Sequence, residues 1–237
     1  MKFNDIQKNI NQTLQSKIVK DAWELIEKID VLQYNLPVVI DRAPLLWVTQ
    51  KDFDLYNVDQ SIEQDYIKHD GLVLARSCLV GFLAKLDDLV KKFGKNFIYL
   101  SIGAYCRLED TEIPGIRENI FPQLEVEVIT DNPITGSKIA VSIIKQIFFK
   151  LKIKDTITIV SNMDIPDATI GKIDRNWKRY KSGFEIYHKE DLAIALAGGG
   201  DFTSSAFKFG LPTDCYAVGG AIGLLRVQGL IDCDNLK

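Results

Sequence analysis

Apolar positions recur along this chain with two periods, and the switches between them mark its elements. Within residues 6–29, Ile18, Val19, Ala22, Trp23, Leu25, Ile26 and Ile29 return at spacings of three and four, which predicts a helix. Residues 31–48 read as extended chain, interrupted by Pro37 and Pro44. A short strand is expected at 71–75. Residues 79–93 form a strongly amphipathic helix, with Lys91 and Lys92 in its last turn and Gly94 as its stop. Strands follow at 97–108 and 121–129. The polar stretch 109–120 between them holds Pro114 and Gly115 and reads as the loop of a hairpin.

A further helix is expected at 137–151 and strands at 156–161, 184–188 and 192–197, the last two joined by the charged turn of Lys189, Glu190 and Asp191. Residues 204–209 predict a short helix and 217–224 a strand of small residues. Helices and hairpins mix without a regular βαβ alternation. The expected fold class is therefore α+β, a mainly antiparallel sheet flanked by helices.

Bulk composition narrows the function classes. The chain has 237 residues, 46% hydrophobic and 26% charged, enough for one sizeable core. Its formal net charge of −3 gives no broad basic field for nucleic acid. There is no run of about eighteen apolar residues that would predict a membrane span. The first fifteen residues carry no apolar secretory core, so a cytoplasmic location is expected. Cys78, Cys106, Cys215 and Cys233 are scattered and read as reduced thiols rather than as metal ligands or disulfides. Neither His69 nor His188 lies near a Ser or Cys in a nucleophile setting.

Candidate chemistry sits in two separated segments. The first runs Ile-Gly-Ala-Tyr-Cys-Arg-Leu-Glu over 102–109 and resumes at 121–127 as Phe-Pro-Gln-Leu-Glu-Val-Glu. The second, 219–226, reads Gly-Gly-Ala-Ile-Gly-Leu-Leu-Arg. Arg107 on a strand suits bidentate contact with oxyanions, and Glu109 shares its strand face. Alone, an Arg-x-Glu pair is an ordinary cross-strand ion pair, and a Gly-rich strand is an ordinary close-packed one. The ordered set resembles motifs 2 and 3 of the class II aminoacyl-tRNA synthetases, which activate a carboxylic acid as its adenylate with ATP and Mg2+.

That resemblance implies roles. Arg107 and Arg226 become catalytic cations. Arg107, Glu109, Phe121 and Arg226 bind the nucleotide, and the glycines let the backbone lie close to it. Residues 121–127 resemble the F-H-Q-x-x-x-E segment of histidyl-tRNA synthetases, which makes Gln123 and Glu127 the residues that hold a substrate α-ammonium. Residues 180–186, 197–202 and 216–226 resemble further segments of that family, which includes the regulatory subunit of ATP phosphoribosyltransferase. The 197–202 segment is read as a turn, with Gly199 at the substrate.

The chain departs from the histidyl pattern. Residues 74–79, Leu-Ala-Arg-Ser-Cys-Leu, replace L-R-P-E-G-T, so the Glu that reads imidazole is missing and Arg76, Ser77 and Cys78 stand there instead. Asp201 stands where the family has Arg, and no catalytic Arg can be aligned before Tyr180. The expected substrate is an α-amino acid other than histidine, acidic if Arg76 faces the pocket. Residues 1–237 read as a single synthetase-like domain with no anticodon-binding domain, so an acceptor other than tRNA is expected. The alternative is a silent regulatory subunit that binds an amino acid or nucleotide and controls a partner enzyme. Arg175, Lys178, Arg179 and Lys181, with Trp177 and Tyr180, form either a solvated basic loop or a contact for a phosphate or an RNA acceptor end. The family also implies a homodimer built on residues 17–48, where Trp23, Leu25, Val38, Val39, Leu45 and Trp47 are apolar.

Overall fold

The computed structural model describes residues 3–57, 67–106, 118–153, 156–160, 183–188 and 191–234. In chain order the elements are α1 (Phe3–Leu14), α2 (Lys17–Ile26), a 3-10 turn (Leu32–Tyr34), β1 (Val38–Asp41), β2 (Trp47–Thr49), α3 (Gln50–Asn57), β3 (Lys68–His69) and β4 (Leu72–Leu74). Then come α4 (Cys78–Phe93), β5 (Phe97–Cys106), β6 (Ile120–Thr130), α5 (Pro133–Lys150), β7 (Thr156–Val160), β8 (Phe184–His188), β9 (Asp191–Asp201), α6 (Thr203–Phe207), β10 (Tyr216–Gly223) and α7 (Leu224–Asp234). Seven strands make one sheet in the order β1-β5-β6-β10-β9-β8-β7, and β2-β4-β3 make a small second sheet. Every pairing in the large sheet is antiparallel except β1 with β5. The α+β expectation holds.

Two-residue periodicity decides what each sheet face meets. Ile98, Leu100 and Ile102 of β5 and Leu124, Val126 and Val128 of β6 point to one face. There they pack against Val19, Ala22 and Ile26 of α2, Ile143 and Ile147 of α5 and Val227 of α7. Burying such a side chain stabilises the fold by roughly 1.5–3 kcal/mol, so this layer is the main core. On the opposite face, Phe82, Leu83 and Leu86 of α4 close over Phe97, Tyr99 and Ile129, together with Phe202 and Phe209. The small sheet and α3 bring Val48, Phe53 and Val73 to Cys78 and Tyr105 at the other end of that face.

Local signals explain most boundaries. Asn132 Oδ1 accepts from the backbone N–H of Ile134 (3.0 Å) and Thr135 (3.1 Å), and Pro133 opens α5 where no donor is needed. Gly94, with φ +84°, ends α4. The helix expected over 6–29 is two helices, broken at Ser16, which is extended (φ −60°, ψ 155°). Packing explains the break: Ile6 and Ile10 of α1 join Leu74, Ala104 and Ile120, whereas α2 joins the main core. Gly198 to Gly200, expected as a turn, continue β9 up to Asp201 because β10 pairs with them residue for residue.

Candidate active site

Charge in a buried central strand marks the site. Every residue of β5 is buried, and on β6 only Phe121 is partly open. Glu125 and Glu127 nevertheless stand on β6 with 3% and 1% of their surface exposed. Carboxyls are almost never buried without a purpose, because desolvation costs several kcal/mol per ion.

The ladder places these groups in rows. Glu125 lies opposite Ser101 on β5 and Ala221 on β10, Ala221 lies opposite Gly198 on β9, and Gly198 lies opposite Glu185 on β8. The next row is Tyr99, Glu127, Gly219 and Gly200. Gly103, Gln123 and Gly223 form a third. The result is a trough on one sheet face. Its floor is Ala221 and Gly198; Gln123, Glu125 and Glu127 line one side and Glu185 the other. Strands lie about 4.8 Å apart, so about 14 Å separates the backbones of Glu125 and Glu185. Tyr187 Oη donates to Glu185 and holds that carboxylate in place.

Two side chains lie over glycines. A Cβ on Gly219 would sit 1.6 Å from Glu127 Oε2, so the carboxyl occupies the space above that residue. A Cβ on Gly103 would sit 2.1 Å from the Tyr105 hydroxyl. Cys78, at the start of α4, reaches the same place, with its Sγ 3.7 Å from Gln123 Oε1 and 3.8 Å from the Gln123 carbonyl.

Electrostatics follow from this crowding. Burial, then the Glu125 charge and a hydrogen bond with Glu125, hold the Glu127 carboxyl well above the ordinary carboxylate range. Burial and the Glu125 charge also push the Cys78 thiol up, which keeps it from acting as a thiolate. Beyond Glu127, Tyr99 Oη donates to Asp41 Oδ2 (2.6 Å), and Lys85 Nζ donates to the same oxygen (2.6 Å). Burial opposes ionisation of Asp41, yet the hydrogen bonds from Lys85 and Tyr99 outweigh it, and its carboxyl ends below its usual value.

The expected site residues separate into groups. Phe121 and Arg226 stand at the same end of the trough, since Gln123 pairs with Gly223 and the two residues continue past that pair. Arg226 lies over Gly223 and donates from Nη1 to the Ala195 carbonyl at 2.8 Å. Gln123 and Glu127 share the trough face. Gly199 does not: it pairs with Gly220 and Phe184 in the row that faces the helix layer, and a Cβ there would strike the Gly219 carbonyl at 2.0 Å. The expectation that the glycines leave room for a nucleotide is also revised. Glu127 fills the space over Gly219, the Phe184 ring that over Gly220, and the Arg226 side chain that over Gly223. The Arg76 charge lowers the Cys106 thiol pKa against the larger effect of burial, which raises it. Arg107, Glu109 and the basic cluster at 175–181 lie outside the described residues.

Glu125, Glu185, Ser101 and Tyr105 escaped the sequence reading. The signal for Glu125 is the same alternation that selects Gln123 and Glu127, since it is the position between them. Among the described residues, no group of three His, Cys, Asp or Glu side chains is placed to hold a metal ion. No helix among them is long and apolar enough to cross a membrane.

No family model and no curated protein matches the chain. Solved structures do. PylSc, a pyrrolysyl tRNA synthetase from Desulfitobacterium hafniense, superposes with a TM-score of 0.67 at 13% identity, over 95% of this chain and 74% of that one. Another structure of pyrrolysyl-tRNA synthetase from the same organism gives 0.64 at 14% identity, over 95% and 75%. At such identity the likeness carries the fold and no residue role. Seven strands in this order, with the hairpin of β5 and β6 set beside the Gly-rich β10, give the chain the fold of a class II aminoacyl-tRNA synthetase catalytic domain.

Proposed function

We propose that this chain activates an α-amino acid other than histidine as its adenylate, using ATP with Mg2+, and passes it to an acceptor other than tRNA. One observation carries the reading: Phe121 and Arg226 flank one end of a trough whose wall, on the same sheet face, bears Gln123 and Glu127. A nucleotide at that end would put its base between the Phe121 ring and the Arg226 guanidinium. Arg107, which follows the last described residue of β5, would hold the α-phosphate and the substrate carboxylate together, because its fork matches two oxyanions. Glu109 would accept from the adenine amino group. Gln123 and Glu127 would receive the substrate α-ammonium, the role the histidyl-like motif assigns them. Mg2+ bound to the phosphates would supply charge neutralisation at the departing pyrophosphate.

Histidine is disfavoured by residues 74–79. They bring the Cys78 thiol to Gln123 and no carboxylate to the trough. The reading carries with it a cytoplasmic homodimer.

ATP–pyrophosphate exchange screened across amino acids tests the proposal. Exchange dependent on one non-histidine amino acid is expected. Exchange driven by histidine at ordinary synthetase rates, or by an acid lacking the α-amino group, would overturn it. Amino-acid-dependent thermal stabilisation without exchange would instead move the chain to the regulatory class, a sensor that controls a partner enzyme.

A further inference from the structure

We propose that the outward face of α5 is one wall of a docking groove for an acidic amphipathic helix of a partner protein. The inference is independent of the adenylation reading, because α5 packs on the sheet face opposite the trough.

The sequence of α5 carries two apolar stripes where a surface helix needs one. Ile139, Ala140, Ile143, Ile144, Ile147 and Phe148 form the first and are buried in the main core. Ile134, Lys138, Val141, Lys145 and Phe149 form the second. They follow one another at spacings of three and four, so they share one face of the helix. Its two ends stand open to solvent, Ile134 at 67% and Phe149 at 83% exposure.

The sheet turns this face into the side of a groove. Val218 of β10, Asp201 of β9 and Thr158 of β7 line it together with the second stripe, and the groove holds about 1010 Å³. From Ile134 to Phe149 the stripe runs about 22 Å, at about 1.5 Å per residue, the length of a four-turn helix laid alongside. Apolar anchors repeating every three or four residues are what a helix in a groove presents.

Charge names the partner. α5 has no Asp or Glu, while Lys138, Lys145 and Lys150 all line the groove. Among the described residues none of these three lysines forms an ion pair. The acid in the lining, Asp201, is turned to another use, since its Oδ1 accepts from the backbone N–H of Thr203 at 2.8 Å. The groove is therefore cationic and apolar on a chain whose net charge is −3. A helix with carboxylates beside its apolar line complements both properties. Other occupants fit less well. A second copy docked symmetrically through this face would set lysines against lysines. An anionic bilayer takes up a protruding helix, and α5 is the side of a concavity. A nucleic-acid backbone would meet the lysines and leave Ile134 and Phe149 uncovered.

The probe is a labelled four-turn helical peptide with leucines every three or four residues and glutamates beside them. Its control carries lysine in place of each glutamate. Fluorescence anisotropy is read against the whole chain, against Phe149→Ser, and against the Lys138→Glu, Lys145→Glu double variant. The expected Kd for the acidic peptide is below about 100 μM, and it should weaken at least about 10-fold in each variant. The lysine peptide should bind the wild type at least about 10-fold more weakly than the acidic one, a comparison that needs no variant to fold. All three substituted residues are exposed, so the variants should keep the wild-type Tm. No binding of the acidic peptide in that range, equal binding of the two peptides, or binding untouched by the substitutions overturns the proposal. Sedimentation with phosphatidylserine–phosphatidylcholine vesicles that Phe149→Ser abolishes would assign the face to a bilayer, and self-association that the same variant abolishes would assign it to a second copy; either result overturns it too.

Discussion

Gly219→Ala is expected to destabilise the protein although it removes a glycine from a strand. The new Cβ would lie 1.6 Å from Glu127 Oε2 and 2.5 Å from the Val126 carbonyl oxygen, where ordinary contact begins at 3.4 Å. A carboxylate can swing aside, but this one is 1% exposed and has little space to enter. The Val126 oxygen cannot move without distorting β6, the central partner of β10. Overpacking of this kind costs about 1–3 kcal/mol, and the entropy saved by replacing glycine returns about 0.5–1 kcal/mol. Two clashes, one of them with backbone, put the net loss at about 2 kcal/mol. For a domain of this size that corresponds to a Tm drop of about 4–8 °C. Gly198→Ala is the matched control. Its Cβ would meet nothing nearer than 3.5 Å, so stability should stay within about 0.5 kcal/mol of wild type or rise. The same methyl enters the trough floor between Glu125 and Glu185, so binding of the amino acid should weaken while the fold holds. Urea denaturation of both variants decides the matter. Equal stability for the two would refute the placement of the Glu127 carboxyl over Gly219.

Other expectations follow from the same geometry. Asp41→Asn should cost about 2 kcal/mol at neutral pH, since it removes charged hydrogen bonds from Lys85 and Tyr99 at a site with 16% and 27% of the Asp41 and Lys85 side chains exposed. Because the Asp41 carboxyl is held below its usual value of 3.8, that stability is present above this pH and lost as pH falls through the folded value, so the difference between variant and wild type should shrink in acid. Glu127→Gln should show the opposite slope: a carboxyl raised above 4.5 stabilises the fold fully below that pH and loses its contribution as pH rises, so the unliganded variant should show a flatter stability between pH 5 and 8 than wild type in parallel denaturation curves. Arg107→Ala should cost on the order of 3 kcal/mol in transition-state binding, read as kcat/KM for exchange, and unchanged ATP affinity and turnover would remove Arg107 from the site. A homodimer is expected by light scattering at micromolar concentration, and a monomer would contradict the pairing through residues 17–48 that the sequence resemblance implies.

Sequence patterning made the sheet legible because strand alternation is local. In Gln123-Leu-Glu125-Val-Glu127 the apolar residues face the helices and the polar ones the trough, and both facts can be read from five letters. The helix break at Ser16 was not legible, since it depends on α1 and α2 packing against different clusters that lie far apart in sequence. The strand character of Gly198 to Gly200 was hidden for a similar reason. Three glycines read locally as a turn, and only their close pairing with β10, where Gly199 meets the Gly219 carbonyl, explains why no side chain is allowed.

The glycines of β10 were expected to leave room for a nucleotide, and side chains fill that room at three of them. A missing side chain states that something approaches closely, and it does not state what. At Gly220 the approaching group is the Phe184 ring, on the helix-packed face, so that glycine serves core packing. At Gly219 it is a carboxyl that the same chain has buried at a cost in stability. A leucine pair at 125 and 127 would have packed this strand more cheaply. Two carboxyls buried side by side cost the fold stability, which is the physical mark of a site rather than of a core.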